Sequence, residues 1–239
     1  MFVIYDDVKI NYEILGSGDN VIVFLHGWGG SIESFRCIAK DLKLNSRCLL
    51  MDFPPFGNST EPKQVWGVKE YAGSLNEVLK AEKIEKFSVV AHSFGGRVAI
   101  YFASQQKDRI KKLVLVDSAG IKAKKGIKKR LRILFFKFCK SFKIKNNFKG
   151  SKDYEVLNSN MKKIFVKVIN EDLSSYCKII DAKTLIIFGK HDKDTPIYMA
   201  KRLHKLIKNS KLEIINGGHF AYLENYPEFK AIVENFIGG

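Results

Sequence analysis

The sequence lacks any apolar run of about 20 residues, the length that a membrane-spanning helix needs, and it begins with no basic and apolar leader. Its four cysteines, Cys37, Cys48, Cys139 and Cys177, form no CxxC pair and accompany no histidine cluster. These absences predict free thiols in a cytoplasmic protein without a metal site. No GxGxxG or GxxxxGK stretch occurs, so we expect no nucleotide and no other cofactor.

Acidic residues are missing from one segment of an otherwise nearly balanced chain. Between Ile121 and Gly150 there are twelve lysines and arginines and no acid, whereas the whole chain has a net charge of +16. The other residues therefore contribute only +4. Because the basic character belongs to one segment and no nucleic-acid-binding motif accompanies it, we expect no nucleic-acid partner.

Short apolar runs alternate with amphipathic helical patterns along most of the chain. FVIY and VKINYEIL, joined at Asp6 and Asp7, predict an N-terminal hairpin. The later runs VIVFL and RCLLMD are typical of strands buried on both faces, and KFSVVA, KKLVLVD, TLIIFG and KLEII are further strands. Helices are expected at 31–42, where Ser31 is the N-cap, and at 68–83, 94–105, 196–208 and 227–236. This pattern predicts an α/β fold with a mostly parallel, doubly wound, eight-stranded sheet.

The alternation stops between residues 121 and 173, where the sequence has helical and basic character without a strand. We therefore predict one α/β core domain, formed by residues 1–120 and 174–239, and a helical basic insertion at 121–173. We expect a monomer or a dimer.

A lone serine stands in VVAHSFGG, where a predicted strand meets a predicted helix. Ala91 and Gly95 flank Ser93 at −2 and +2, and a sharp turn needs small residues at these crowded positions. Such a turn would project the hydroxyl of Ser93 from the sheet edge, beside a helix N-terminus that favours negative charge. The alternative is a serine N-cap in an ordinary loop.

A nucleophilic serine needs a base, an acid that orients the base, and donors for an oxyanion. His219, in the glycine-rich loop NGGHFAYLE after the last strand, is the candidate base. The backbone N–H groups of Phe94 and of Trp28, in HGWGG, are the candidate oxyanion donors.

The acid is expected in GKHDKDTP, which follows the strand TLIIFG. Asp194 or Thr195 would cap a helix whose first turn holds Pro196, and this leaves Asp192 as the candidate acid. Asp117, after KKLVLV, occupies a rarer alternative position.

Five stretches in this order, HGWGG, DFPPFGNS, AHSFGG, GKHDKDTP and GGHFAYLE, resemble the α/β-hydrolase superfamily, in its compact serine-nucleophile type. The resemblance covers nearly the whole chain apart from the basic segment. Ala91 and Pro55 depart from the usual pattern, since glycine is common at both positions. The resemblance implies a Ser93–Asp192–His219 triad and a helical lid at 121–173.

The lid segment IKKRLRILFFKFCKSFKIK is basic and strongly apolar at once. We interpret it as a lid helix whose apolar face covers a substrate pocket formed by Trp28, Phe94, Phe135 and Phe138. Its lysines are either solvated or in weak contact with an anionic membrane surface.

These features predict a serine hydrolase that forms an acyl-enzyme, best described as a carboxylesterase acting on small to medium apolar acyl esters. Thioesterase and acylglycerol lipase activities are the alternatives, and a signalling receptor with slow or vestigial hydrolysis is the alternative from another class. Similar haloalkane dehalogenases and epoxide hydrolases carry aspartate at the elbow, which disfavours them. Carbon–carbon bond hydrolases usually carry tryptophan after the base, where this chain has Tyr222 and Leu223.

Overall fold

Eight strands form one sheet in the computed structural model, which describes residues 1–42, 46–122 and 158–238. Their order across the sheet is β1-β2-β4-β3-β5-β6-β7-β8. The first two strands are antiparallel to each other, β2 is antiparallel to β4, and all later pairs are parallel. The bounds are β1 Phe2–Tyr5, β2 Val8–Leu15, β3 Asn20–Leu25, β4 Ser46–Met51, β5 Phe87–His92, β6 Ile110–Val116, β7 Lys183–Gly189 and β8 Ser210–Ile215. The predicted fold class is confirmed.

Helices cover both faces of the sheet. Within the described ranges they are α1 Glu33–Asp41, α2 Val68–Ala81, α3 Phe94–Gln105, α4 Ser159–Asn170, α5 Ser174–Cys177, α6 Ile197–Leu206, α7 Ala221–Glu224 and α8 Tyr226–Gly238, with a 3₁₀ turn at Lys107–Arg109. The predicted helix at 94–105 matches α3, and the other predicted bounds differ by one or two residues. Such differences are common at helix ends, where hydrogen bonds are incomplete.

The parallel strands other than the edge strand β8 are largely buried on both faces, because their successive side chains enter two different apolar layers. In β5, Val89 and Ala91 join the layer beneath α2, α3 and α6, whereas Val90 joins the layer beneath α1 and α8. This double burial explains the continuous apolar runs in the sequence. The parallel pairing of these strands places their carboxyl ends at one edge of the sheet.

The N-terminal hairpin turns at Asp6 and Asp7, whose φ angles are 51° and 59°. Positive φ at both central residues is the geometry of a two-residue hairpin turn that matches the twist of its strands. Aspartate tolerates this conformation better than most residues because its short side chain is polar.

The start of α1 differs from the prediction. Ile32, not Ser31, occupies the N-cap position, and the Oδ1 atom of the buried Asp52 accepts the Ile32 N–H at 2.7 Å. A carboxylate from the DFPPFGNS loop therefore caps this helix, and sequence-local capping rules do not detect a partner twenty residues away.

The predicted insertion leaves and rejoins the core at adjacent points. The carbonyl of Gly120 accepts a hydrogen bond from the N–H of Leu173 at 2.9 Å, and the buried Arg97 donates to the carbonyl of Glu171 at 2.8 Å. The described part of the predicted lid contains α4; residues 123–157, with Phe135 and Phe138, lie outside the described residues. No helix in the described ranges is long and apolar enough to cross a bilayer.

Candidate active site

Ser93 lies between β5 and α3 in a backbone conformation, φ 49° and ψ −108°, that only glycine adopts easily. The small neighbour at +2 is required, because a Cβ atom on Gly95 would lie 2.3 Å from the carbonyl oxygen of Leu25. The turn therefore packs α3 tightly against β3 and leaves Ser93 partly exposed at the sheet edge. These are the geometric features of a strained nucleophile turn.

Three side chains predicted from separate stretches of sequence meet at this edge. The Nε2 atom of His219 lies 2.9 Å from the Oγ atom of Ser93, and its Nδ1 atom lies 2.9 Å from the Oδ2 atom of Asp192. Since a carboxylate only accepts hydrogen bonds, Nδ1 carries the proton and Nε2 is free to accept the proton of Ser93. The side chain of Asp192 is fully buried and that of His219 is 13% exposed.

The electrostatics of this pair favour a charged acid beside a basic imidazole. Burial lowers the pKa of His219, but its hydrogen bond and charge interaction with Asp192 outweigh burial and hold that pKa above its ordinary value. Burial raises the pKa of Asp192, but the hydrogen bonds from His219 and Thr195 outweigh burial and hold it below its usual range. Asp192 is therefore ionised, and its negative charge stabilises a positive charge on the His219 ring.

The loop that carries Asp192 is ordered by hydrogen bonds to its two carboxylate oxygens. Oδ1 accepts the N–H groups of Asp194 at 2.7 Å and of Thr195 at 3.0 Å, and Oδ2 accepts the hydroxyl of Thr195 at 2.5 Å. The predicted capping role of Asp194 or Thr195 is wrong, since Pro196 is the N-cap of α6 and no side chain caps it. The Thr195 hydroxyl instead binds the acid, a contact that sequence analysis missed because the same residue type is common in helix caps.

The HGWGG loop lies against the serine turn. A Cβ atom on Gly27 would lie 2.8 Å from the Nδ1 atom of His92 and 3.4 Å from the Cβ atom of Ser93. Trp28 follows Gly27 directly, and Phe94 is the first residue of α3, whose N–H has no acceptor within the helix. The fold thus brings both predicted oxyanion donors to the neighbourhood of Ser93.

The shape of this loop depends on the neutral, buried His26. Its Nε2 atom accepts the N–H of Phe53 at 2.8 Å, so its Nδ1 atom donates to the carbonyl of Gly27 at 2.7 Å. Burial lowers the pKa of His26 and keeps the ring neutral. His26 therefore joins the HGWGG and DFPPFGNS loops and is a structural residue.

Aromatic rings pack around Trp28, the residue that follows Gly27 in the HGWGG loop. The ring of Trp28 lies 5.1 Å from Phe94, 5.1 Å from Phe56 and 5.3 Å from Phe165, measured between centroids. Phe165 belongs to α4 in the predicted lid, and sequence analysis missed it in favour of Phe135 and Phe138. A signal was present, because the buried residues of α4 follow helical spacing: Met161, Ile164, Phe165 and Val168.

The same region contains the one group of possible metal ligands found among the described residues. Donor atoms of Asp192, Asp194 and His219 lie within 4.8 Å of one another. The Nδ1 atom of His219 is occupied by Asp192, and both oxygens of Asp192 accept hydrogen bonds from the protein. The arrangement fits a hydrogen-bonded acid–base pair better than an open metal site.

Comparison with known proteins bears on the fold and on the class of activity. The family model described as alpha/beta hydrolase fold matches residues 20–132. The chain is 22% identical, over 96% of its length and 93% of the relative's, to a 2-hydroxy-6-oxo-2,4-heptadienoate hydrolase of Pseudomonas putida. It is 26% identical, over 95% of its length and 96% of the relative's, to a pimeloyl-[acyl-carrier protein] methyl ester esterase of Wigglesworthia glossinidia brevipalpis.

Among solved structures, an esterase from Exiguobacterium antarcticum matches with a TM-score of 0.81 and 22% identity, covering 97% of this chain and 96% of the esterase. These relatives are hydrolases, which supports a hydrolase activity here. Its sheet order, its strained serine turn and these matches show that the chain has the α/β-hydrolase fold.

Proposed function

We propose that the protein is a serine hydrolase that cleaves carboxylic esters through an acyl-enzyme. The observation that carries the proposal is the continuous hydrogen-bonded path from Ser93 Oγ through both nitrogens of His219 to Asp192, with two distances of 2.9 Å. In this mechanism His219 accepts the proton of Ser93 as its oxygen attacks the ester carbonyl, and Asp192 stabilises the imidazolium. His219 then returns the proton to the leaving alcohol.

The N–H groups of Trp28 and Phe94 hold the oxyanion of the tetrahedral intermediate, each contributing about 3 kcal/mol. Water, activated by the neutral His219, next attacks the acyl-enzyme and releases the acid. The aromatic rings of Phe56 and Phe165 pack against Trp28, which belongs to the loop next to Ser93, and this apolar cluster favours an apolar acyl group. The methyl ester esterase and the solved esterase among the matches support an ester substrate.

Hydrolysis of p-nitrophenyl esters from acetate to decanoate tests this proposal. We expect turnover above about 1 s⁻¹, and we expect Ser93→Ala to abolish it. Ser104→Ala is the control and should keep this turnover. Ser104 is a buried serine near the end of α3, and its hydroxyl donates to the carbonyl of Tyr101. Activity that survives Ser93→Ala would refute the assigned nucleophile. Labelling of Ser93 by a fluorophosphonate without ester turnover would instead favour an unusual acyl substrate, such as a thioester, or the receptor alternative.

A second candidate is hydrolysis of a carbon–carbon bond in a dienoate, because the Pseudomonas putida relative is named for such a substrate. The residues after the base do not distinguish the two activities: Tyr222 is buried against Phe35 and Phe229, and Leu223 is 47% exposed. Assay of 2-hydroxy-6-oxo-2,4-heptadienoate beside the ester series distinguishes the two. A higher kcat/KM for the dienoate would replace the esterase proposal.

A further inference from the structure

Thr195 is a buried residue whose hydroxyl lies between the acid, the base and the end of the neighbouring strand β6. Its Oγ1 atom lies 2.5 Å from the Oδ2 atom of Asp192, 3.0 Å from the carbonyl oxygen of Asp117 and 3.4 Å from the Nδ1 atom of His219. Thr195 is 3% exposed, so water has little access to these contacts. The proposed mechanism gives this hydroxyl no role.

The single proton of this hydroxyl goes to Asp192. The carboxylate of Asp192 and the carbonyl of Asp117 only accept hydrogen bonds, so the hydroxyl donates to one of them. The carboxylate is charged and is the closer acceptor, and 2.5 Å is typical of a hydroxyl that donates to a carboxylate. The Oδ2 atom of Asp192 therefore accepts two hydrogen bonds, one from Thr195 and one from the Nδ1 atom of His219.

The two oxygens of Asp192 are held in different ways. Oδ1 accepts the backbone N–H groups of Asp194 and Thr195, so the loop itself fixes this oxygen. Oδ2 is the oxygen that bonds His219, and within the described ranges its one other donor is the Thr195 hydroxyl. Without that hydroxyl the carboxylate can turn about the fixed Oδ1 atom. The hydrogen bond to the imidazole would then lose its alignment.

We propose that Thr195 is a positioning residue for the proposed hydrolase reaction: its hydroxyl holds the Oδ2 atom of Asp192 in line with the Nδ1 atom of His219. It thereby keeps the imidazole directed towards Ser93. The inference rests on the proposed function for its kinetic readout only. A hydroxyl in this role has two effects that a merely structural hydrogen bond lacks, because it changes kcat more than KM and it changes the pKa of His219.

Thr195→Val replaces the hydroxyl by a methyl group of similar size. We expect kcat to fall at least about tenfold with little change in KM, since small misplacements of a catalytic group have effects of this size. The matched control is Thr184→Val, which removes another buried hydroxyl, one that donates to the carbonyl of Ala182 at 2.8 Å. Thr184 lies at the opposite end of β7 from the acid loop, so this control should keep the wild-type kcat. Equal kcat values in the two variants would overturn the proposal.

Thermal unfolding separates positioning from folding. Each variant loses one buried hydrogen bond, so both should lose similar amounts of stability, whereas only Thr195→Val should lose kcat. Thr195→Ser keeps the hydroxyl, and its kcat should be much nearer to that of wild type than to that of Thr195→Val. If Thr195→Val does not fold, Thr195→Ser is compared with Thr195→Ala, and equal kcat values in that pair would overturn the proposal.

A second readout does not need an ester substrate. Among the described residues, the charged and titratable groups that face the His219 ring from the neighbouring elements are Asp192, Asp194, Asp117 and His92. Thr195→Val changes none of them. A loss of alignment weakens the interaction with Asp192 and so lowers the pKa of His219. NMR titration of the imidazole, identified by its loss in His219→Ala, measures this pKa.

The sign of the change in the His219 pKa tests the proposal. A hydrogen-bond donor reduces the charge that Asp192 presents, so removing the donor without any loss of alignment would raise the pKa of His219. A fall in that pKa supports the proposal, and a rise or no change overturns it. A wild-type protein that hydrolyses none of the esters, but whose His219 pKa falls in Thr195→Val, would refute the proposed function and leave this inference supported.

Discussion

His92 donates a hydrogen bond from its Nε2 atom to the backbone carbonyl of His219, with the two atoms 2.8 Å apart. A carbonyl only accepts, so Nε2 carries the proton. Burial, together with the nearby His219, lowers the pKa of His92 to about 3, and the ring stays neutral. Its centroid lies 4.9 Å from the ring of His219 and 4.8 Å from that of Tyr222. The residue that precedes Ser93 thus holds the loop that carries His219.

His92→Phe keeps an aromatic ring and removes this donor, so the His219 loop loses a fixed point. We expect kcat to fall by about tenfold to a hundredfold, since small misplacements of a catalytic group have effects of this size, with little change in KM. Steady-state kinetics on the best ester measure the change. His204→Phe, which alters an exposed histidine on α6, is the control and should match wild type. An unchanged kcat in His92→Phe would show that the bond does not position the base.

The strain at Ser93 predicts opposite effects on activity and stability. Both Ser93→Ala and Ser93→Gly should abolish turnover, but only glycine adopts φ 49° and ψ −108° without backbone strain. Strain of this kind costs about 1–3 kcal/mol, and the extra freedom of unfolded glycine offsets about 0.5–1 kcal/mol. Urea unfolding should therefore show Ser93→Gly to be about 1 kcal/mol more stable than Ser93→Ala. Equal stabilities would mean that the turn is not strained.

The pH dependence of kcat/KM follows from the His219–Asp192 pair. His219 accepts the proton of Ser93 only when it is neutral, and Asp192 holds its pKa above the ordinary value of 6.5. Activity is therefore lost as the pH falls, with a midpoint above 6.5. In Asp192→Asn the hydrogen bond and the charge are lost, so the midpoint moves to lower pH while activity falls by up to about 10⁴-fold. An unmoved midpoint would show that this limb reports another group.

Phe165 on α4 connects the predicted lid to the apolar side of the site. Phe165→Leu keeps most of the volume and removes the ring contact with Trp28, a contact type that contributes about 0.5–1.5 kcal/mol. We expect kcat/KM for the preferred apolar ester to fall by up to about tenfold, with acetate affected least. Val166→Ala, on the exposed side of the same helix, is the matched control. A similar effect of both variants would point to general loosening of α4.

Membrane contact by the basic segment remains a proposal from charge alone. Replacing Lys128, Lys129, Lys137 and Lys140 by glutamine should weaken binding to phosphatidylserine vesicles at least tenfold, because each lysine near an anionic surface contributes about 1 kcal/mol. The control makes the same charge change at Lys201, Lys205, Lys208 and Lys211. Co-sedimentation measures both proteins. Binding that is unchanged in the first variant excludes this contact.

The sequence by itself determined the sheet, most of its helices and the candidates for the triad. Strands buried on both faces must be continuously apolar, and the helices between them must be amphipathic, so local patterns carry this information. The carboxyl ends of such strands share one edge, which is why Ser93, Asp192 and His219 were identifiable as candidates from loops far apart in the chain. The hairpin at Asp6 and Asp7 was likewise a local property of the chain.

Only the tertiary structure decided the contacts that join one loop to another. Asp52 caps a helix twenty residues away, Thr195 binds the acid instead of capping α6, and Asp117 holds the acid loop from the neighbouring strand. Phe165 contacts Trp28, and this contact became evident only from the position of α4 in the structure. The physical reason is the same for all four. A hydrogen bond or ring contact depends on distances of a few ångströms between separate elements, and residue type and spacing do not encode those distances.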